Sequence, residues 1–275
     1  AYSFESDGYD SVDLSIFATH LFDDYTIVDW CYQQEPWSVL WVVRSDGKLL
    51  GLTYMKEQEV WAWHMHDVGG IVESISSAPG LTEDEVYMIV RRNINGSDVR
   101  YVEKLSSKPE TMHLDCAIVA HDGDPTTTIY GLNHLNGKQV VVLADGVPIF
   151  DNIVQNGTII LRNPASYVVV GLQYIGTIQS LPLIYEAKDG ISTGSRRRAT
   201  SVILQVLDSR FGYIGTREDD MYPIYYPNEN LELYSGVLTE DLSSEYDYYG
   251  QVTIEQRHPY PFNILNWTVR VAHGD

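Results

Sequence analysis

Several groups of residues have the types and spacing that chemistry needs. Gly190-Ile191-Ser192-Thr193-Gly194 matches the G-x-S-x-G nucleophile elbow, and acidic residues and then His258 follow in the order of a hydrolytic triad. An elbow works because a sharp strand-to-helix turn exposes the serine and aims helix N–H groups at an oxyanion. Here Ser195-Arg196-Arg197-Arg198 come next and then β-branched alternation, so the run is expected to be a flexible loop. Trp61, Trp63, His64, His66 and Asp67 form a second group. On a strand His64 and His66 share one face and could begin a metal site, but no third and fourth ligands follow at a suggestive spacing. Packing of imidazole and indole rings between stacked sheets is the favoured role, with a sugar-binding platform as the alternative. Glu218-Asp219-Asp220 and Glu240-Asp241 are the densest acidic runs. A glycosidase pair can be nominated from them, yet catalytic carboxylates are tuned by burial, and such runs are usually solvated loops. Arg196-Arg197-Arg198 is too short for a nucleic-acid patch and reads as an intersubunit ion pair or a solvated loop. Cys31 and Cys116 have neither metal-ligand spacing nor a disulfide framework and read as reduced core thiols made in a cytoplasm. Nothing here calls for a cofactor.

Composition narrows the classes further. The 275 residues carry 18 basic and 38 acidic side chains, a net charge of -20, with 20 Tyr and 6 Trp. Such acidity opposes tight binding to a phosphate backbone, which requires Lys and Arg. It keeps a large assembly soluble and repels polyanions from any surface it lines. No run approaches the roughly 18 apolar residues of a membrane-spanning helix. Asn-x-Ser/Thr triplets occur at Asn95, Asn156 and Asn266, the first two as Asn-Gly pairs between apolar runs, where a hairpin turn explains them better than a glycan. The chain does not open with Met or with a basic-then-apolar leader, and it is expected to be a piece of something longer.

The elements that must position these residues are mostly strands. Leu14, Phe17, Ala18 and Leu21 fall at i, i+3, i+4 and i+7 and predict one short helix, capped by Ser11 or Asp13. Strands are predicted at 39–44, 49–54 and 59–64, with a Ser45–Lys48 hairpin turn. The unit recurs at 86–91 and 99–103 around Asn95-Gly96, an offset of about 44 to 47 residues that lies in the range of four-stranded propeller blades. Residues 106–110 interrupt the repeat. The expected fold is therefore all-β: about two propeller blades with the helix in 1–110, a small sandwich or barrel in 111–187, and a C-terminal β domain in 188–275.

The stretch Ile27-Val28-Asp29-Trp30-Cys31-Tyr32-Gln33-Gln34-Glu35-Pro36-Trp37-Ser38, followed by Trp41-Val42-Val43-Arg44, resembles the tail nozzle (tail tubular protein B) family of short-tailed phages and prophages. The likeness continues through Leu50-Gly51-Leu52-Thr53-Tyr54, Gly131-Leu132-Asn133-His134-Leu135, Val170-Gly171-Leu172-Gln173-Tyr174 and Gly250-Gln251-Val252-Thr253-Ile254. The resemblance implies a structural virion protein, made in the bacterial host cytoplasm. Six copies would form a ring or tube below a tail adaptor, with tail fibres or spikes as neighbours, and viral double-stranded DNA would leave through it without specific binding. It implies no catalytic residues and no metal. Glu218, Asp219 and Asp220 are the candidate channel-lining residues. A receptor- or carbohydrate-binding tail module is the alternative, and a propeller or serine hydrolase the third.

Overall fold

The computed structural model describes residues 13–106, 112–184, 194–217, 220–227 and 232–274, together with the backbones of β1 (Tyr2–Ser3), β2 (Gly8–Tyr9) and the 186–187 and 190–191 strands. The fold is nearly all β, and the helical elements among the described residues are three single 3-10 turns. Two compact units divide the chain, 1–108 and 109–275.

The first unit contains two antiparallel meanders. β3 (Ile27–Gln33), β4 (Val39–Arg44), β5 (Leu49–Met55) and β6 (Val60–His66) pair in chain order, as do β7 (Ile71–Pro79), β8 (Asp84–Ile94) and β9 (Ser97–Lys104). β3 and β7 lie side by side and parallel. At their starts the Val72 amide donates to the Gly47 carbonyl, midway Asp29 accepts the Ile75 amide at 2.9 Å, and at their ends the Asp84 amide donates to Glu35. Gly47 permits this approach: it has φ +81°, and a Cβ there would meet Ile71 Cγ2 at 2.4 Å. Between the sheets lies one apolar core of Val39, Trp41, Val43 and Leu49 against Val72, Ile75, Val86, Met88 and Val90. The first sheet has the four strands of the predicted blade and the second only three, and no closed ring is formed among the described residues.

The helix predicted over Leu14–Leu21 is not formed; only Thr19–Leu21 makes a 3-10 turn. Asp13 Oδ1 instead accepts both the amide and the hydroxyl of Ser15, a local turn that competes with helix. Phe17, placed on the buried stripe by its spacing, is 94% exposed. The segment acts as a cover for the sheet: Trp63 Nε1 donates to the Leu14 carbonyl, Phe22 packs edge-on against Trp63, and Arg44 donates to Leu21.

The second unit begins with β10 (Asp115–Ile129), β11 (Gln139–Ala144), β12 (Val147–Ile153) and β13 (Ile159–Leu172), in the order β10-β13-β11-β12. Asn156-Gly157 and Asp145-Gly146 turn their hairpins with positive φ at both residues, as Asn95-Gly96 does in the first unit. Pro125 is accommodated where β10 loses register between Asp122 and Thr126. After β14 (Gly176–Gln179), β15 (Glu186–Ala187) and β16 (Gly190–Ile191) come β17 (Arg197–Ser209), β18 (Gly212–Gly215), β19 (Met221–Pro223), β20 (Tyr234–Asp241), β21 (Thr253–Gln256) and β22 (Asn263–His273). They form the sheets β14-β21-β18-β19 and β20-β17-β22, which enclose Val202, Leu204, Val206, Ile214, Leu238, Val252 and Ile254. β14 pairs with β21 from Gly176–Gln256 to Gln179–Thr253, so strand pairing crosses the 187/188 division drawn from sequence.

Candidate functional site

Ser192, Glu218 and Asp219 lie outside the described residues. Gly190 and Ile191 form β16, a two-residue strand paired with β15, and the run that follows enters the thirteen-residue strand β17 rather than a helix. Asp220 is exposed beside the start of β19, its amide donating to the Arg217 carbonyl. The structure does not bring the acidic runs together into a pocket among the described residues. Of the two readings of Arg196-Arg197-Arg198, an intersubunit ion pair or a solvated loop, the solvated loop fails at Arg197, while Arg196 and Arg198 are exposed. Arg197 is buried, with its amide on the Asp247 carbonyl and Nη1 donating to the Leu183 carbonyl, while Arg196 and Arg198 lie over the rings of Tyr248 and Tyr246. Alternation along a strand sends the middle guanidinium inward and the outer two across aromatic faces.

β6 places His64 and His66 on one face, as period two requires. His64 Nδ1 and His66 Nε2 are 2.6 Å apart, and Thr53 Oγ1 is 3.2 Å from His64 Nε2. Trp41 meets both rings edge-on, at centroid distances of 5.9 and 5.0 Å. The facing residue across β5 is Gly51, where a Cβ would lie 2.2 Å from His64 Cε1. Burial, with His64 adding to it, pushes His66 down to about 4, and burial lowers His64 as well. No three His, Cys, Asp or Glu side chains gather as metal ligands among the described residues. The pair is a self-contained polar contact set against Trp41. Cys31, half-buried on the same sheet, is pushed up to about 11 by burial and then by Asp29, which suits a packed thiol rather than a nucleophile.

The opposite face of this sheet is open at its ends. Trp30, Val42, Leu50 and Met65 stand in one cross-strand row. Val42 and Leu50 are buried, but Trp30 is 63% exposed, and Met65, Val28 and Tyr32 are exposed too. On the outer face of the second sheet, Ile89 and Val102 are exposed among the ion pairs of Glu73 with Arg91 and Arg100.

Sequence reasoning missed a cleft in the second unit. It has a volume of about 260 Å³ and is lined by Arg210, Phe211, Pro223, Ile224, Tyr225 and Tyr226. The turn between β17 and β18 and the end of β19 with the residues after it supply the lining, held by the Arg210 amide donating to Pro261 and the Ile224 amide donating to Gly212. Arg210 is only 6% exposed. Its Nη1 donates to the Glu232 carbonyl at 2.7 Å, its guanidinium carbon sits 4.7 Å from the Phe211 ring centroid, and its Nε has no acceptor. Phe211 has φ +54°, an uncommon conformation for an aromatic residue, and packs against the His258 ring, stacked at 5.1 Å, and the Tyr260 ring at 5.2 Å. The Tyr226 hydroxyl is buried and donates to no acceptor, while the Gly212 amide is directed at its oxygen. Burial pushes it up to about 12, the nearby Gly212 amide and Arg210 opposing the rise. Tyr225 is 73% exposed, and its amide donates to Glu240 Oε1. The signal in sequence was faint: one arginine at the end of an apolar strand, before an aromatic residue.

Compared with protein-family models and with curated proteins, the chain matches none.

Proposed function

We propose that this chain is a structural subunit of a short-tailed phage tail, part of the tube or nozzle through which viral DNA is ejected. One observation carries the reading most: two meander sheets lie with their first strands parallel around a shared apolar core, and Trp30, Val28, Tyr32 and Met65 remain exposed on the face away from that core. Stacked sheets of this kind bury their faces by repetition, and an exposed aromatic row suits a further subunit or sheet. The Gln33-Gln34-Glu35-Pro36 block adds support through its likeness to tail nozzles and has a structural use here. Gln33 Nε2 donates to the Asp84 carbonyl, and the Gln34 and Glu35 amides donate to the Asp84 carboxylate, tying the end of β3 to the start of β8.

The charge of -20 fits a conduit. A wall of that sign does not grip a duplex carrying one charge per roughly 1.7 Å, so DNA slides. In this reading six copies form a ring, a tail adaptor and fibres or spikes are the neighbours, and Glu218, Asp219 and Asp220 face the channel. Electron microscopy of the protein, alone and on particles, tests it. Six-fold rings with these residues inward are expected. A species that stays monomeric at every concentration and is absent from virions overturns the proposal.

A further inference from the structure

A cation buried in a low-dielectric interior is costly unless an anion or a full set of acceptors meets it. Arg210 has neither among the described residues. It forms no ion pair with a described carboxylate, one of its hydrogen bonds goes to a neutral carbonyl, and Nε is unspent. Next to it along the same cleft, the Tyr226 hydroxyl is a second unspent donor. Both residues line one concavity, each with a donor buried just behind its wall and without an acceptor, and an oxygen anion in the cleft would meet the charge of one and the hydroxyl of the other. The other walls have a different chemistry. Phe211, Pro223, Ile224 and the exposed ring of Tyr225 offer flat apolar surface, which a ring can cover.

We propose that the cleft binds a carboxylate carried on a six-membered ring, with the carboxylate meeting Arg210 and Tyr226 and the ring lying along Tyr225 and Pro223. The chemistry is shared by an acidic sugar and by a flat ring carboxylic acid. General attraction of anions does not account for such binding, because the whole chain carries -20. The nearest carboxylate named by its effects on the site is Glu240, which raises Tyr226 and is itself engaged by the Tyr225 amide. The inference is independent of the tail reading and stands if no ring of subunits forms.

The full chain is titrated calorimetrically at fixed ionic strength with D-glucuronate, benzoate, D-glucose and acetate. At least one ring carboxylate is expected to bind about ten-fold or more tightly than glucose, which lacks the charge, and than acetate, which lacks the ring. The tighter of glucuronate and benzoate names the source. Tyr226→Phe, which removes only the hydroxyl, and Tyr225→Ala, at an exposed ring, are each expected to weaken it several-fold. Arg210→Lys is expected to abolish it, and should that variant not fold, the two tyrosine variants decide. Binding of neither ring carboxylate, equal binding of glucose or acetate, or affinity unchanged in both tyrosine variants overturns the proposal.

Discussion

Arg92 and Arg210 are buried to nearly the same degree, at 3% and 6% exposure, and are held in opposite ways. Arg92 in the first unit meets Glu103 across β8 and β9 with two parallel bonds, Nε to Oε1 at 2.6 Å and Nη2 to Oε2 at 2.7 Å. Arg44, also buried in that unit, is matched to Asp46 in the same bidentate way. Arg210 in the second unit has a carbonyl and the face of a phenyl ring. The lesson is one of division of labour. Arg92 and Arg44 are matched by a carboxylate inside the fold, whereas Arg210 meets a carbonyl and a ring face at the wall of a cleft, and the proposed ligand would supply the missing anion.

The contrast breaks first at Glu103. Glu103→Ala leaves Arg92 a buried cation without its carboxylate, and the first unit is expected to lose about 3–5 kcal/mol. Five of the six tryptophans lie between residues 30 and 63, so urea unfolding followed by Trp emission reads that unit. A loss below about 1 kcal/mol would mean that burial without a carboxylate is cheap here, and Arg210 would then need no ligand.

The histidine pair is the second place where the first unit satisfies itself. His66 stands at about 4 in the fold against an ordinary 6.5. On acidification the unfolded chain takes up its proton first. Stability is therefore whole above pH 6.5, falls between 6.5 and about 4, and levels off below that for this residue. The full effect is at most about 3 kcal/mol. Urea unfolding of the wild type and of His66→Gln across pH 7 to 4.5 isolates it: the wild type should show the steeper loss. Parallel slopes would show that the pair is solvated rather than packed. Gly51→Ala probes the same contact by size. The added Cβ cannot fit against His64 without moving it, and a cost of about 1–3 kcal/mol is expected from thermal or urea denaturation.

Much of this first unit was legible in sequence, because local rules and tertiary packing agree there. Val39–Arg44 alternates and is β4 to the residue, Asn95-Gly96 turns its hairpin with both φ angles positive, and the echo of one meander in the next appears as two sheets side by side. The failures have physical causes. Leu14, Phe17 and Leu21 had helical spacing, but an Asx turn at Asp13 and the hydrogen bond from Trp63 to Leu14 captured the segment as a cover. The Arg196–Arg198 run looked solvated because composition does not reveal that a strand alternates its arginines between a buried carbonyl and surface tyrosines. Arg210 was invisible for a related reason. Its cleft neighbours Pro223 to Tyr226 lie 13 to 16 residues on, and are brought near it by the β17–β18–β19 arrangement. A cleft assembled by long-range pairing has no local spacing to read.

The smallest predicted effect sharpens the comparison most. In the first unit, deleting a buried polar group breaks a bond and costs stability. In the second, the Tyr226 hydroxyl donates to nothing, and the Gly212 amide is the one group directed at it. Tyr226→Phe removes a group that was desolvated without compensation and keeps the ring against Tyr234, 6.1 Å away. The variant should therefore be equal to the wild type or more stable by about 1 kcal/mol when no ligand is present. Calorimetric unfolding in a buffer free of carboxylates measures it. A loss of 1 kcal/mol or more would mean that the hydroxyl is satisfied in solution, by an ordered water or by the Gly212 amide. The second unit would then be as self-contained as the first, and the difference between Arg92 and Arg210 would be one of geometry rather than of purpose.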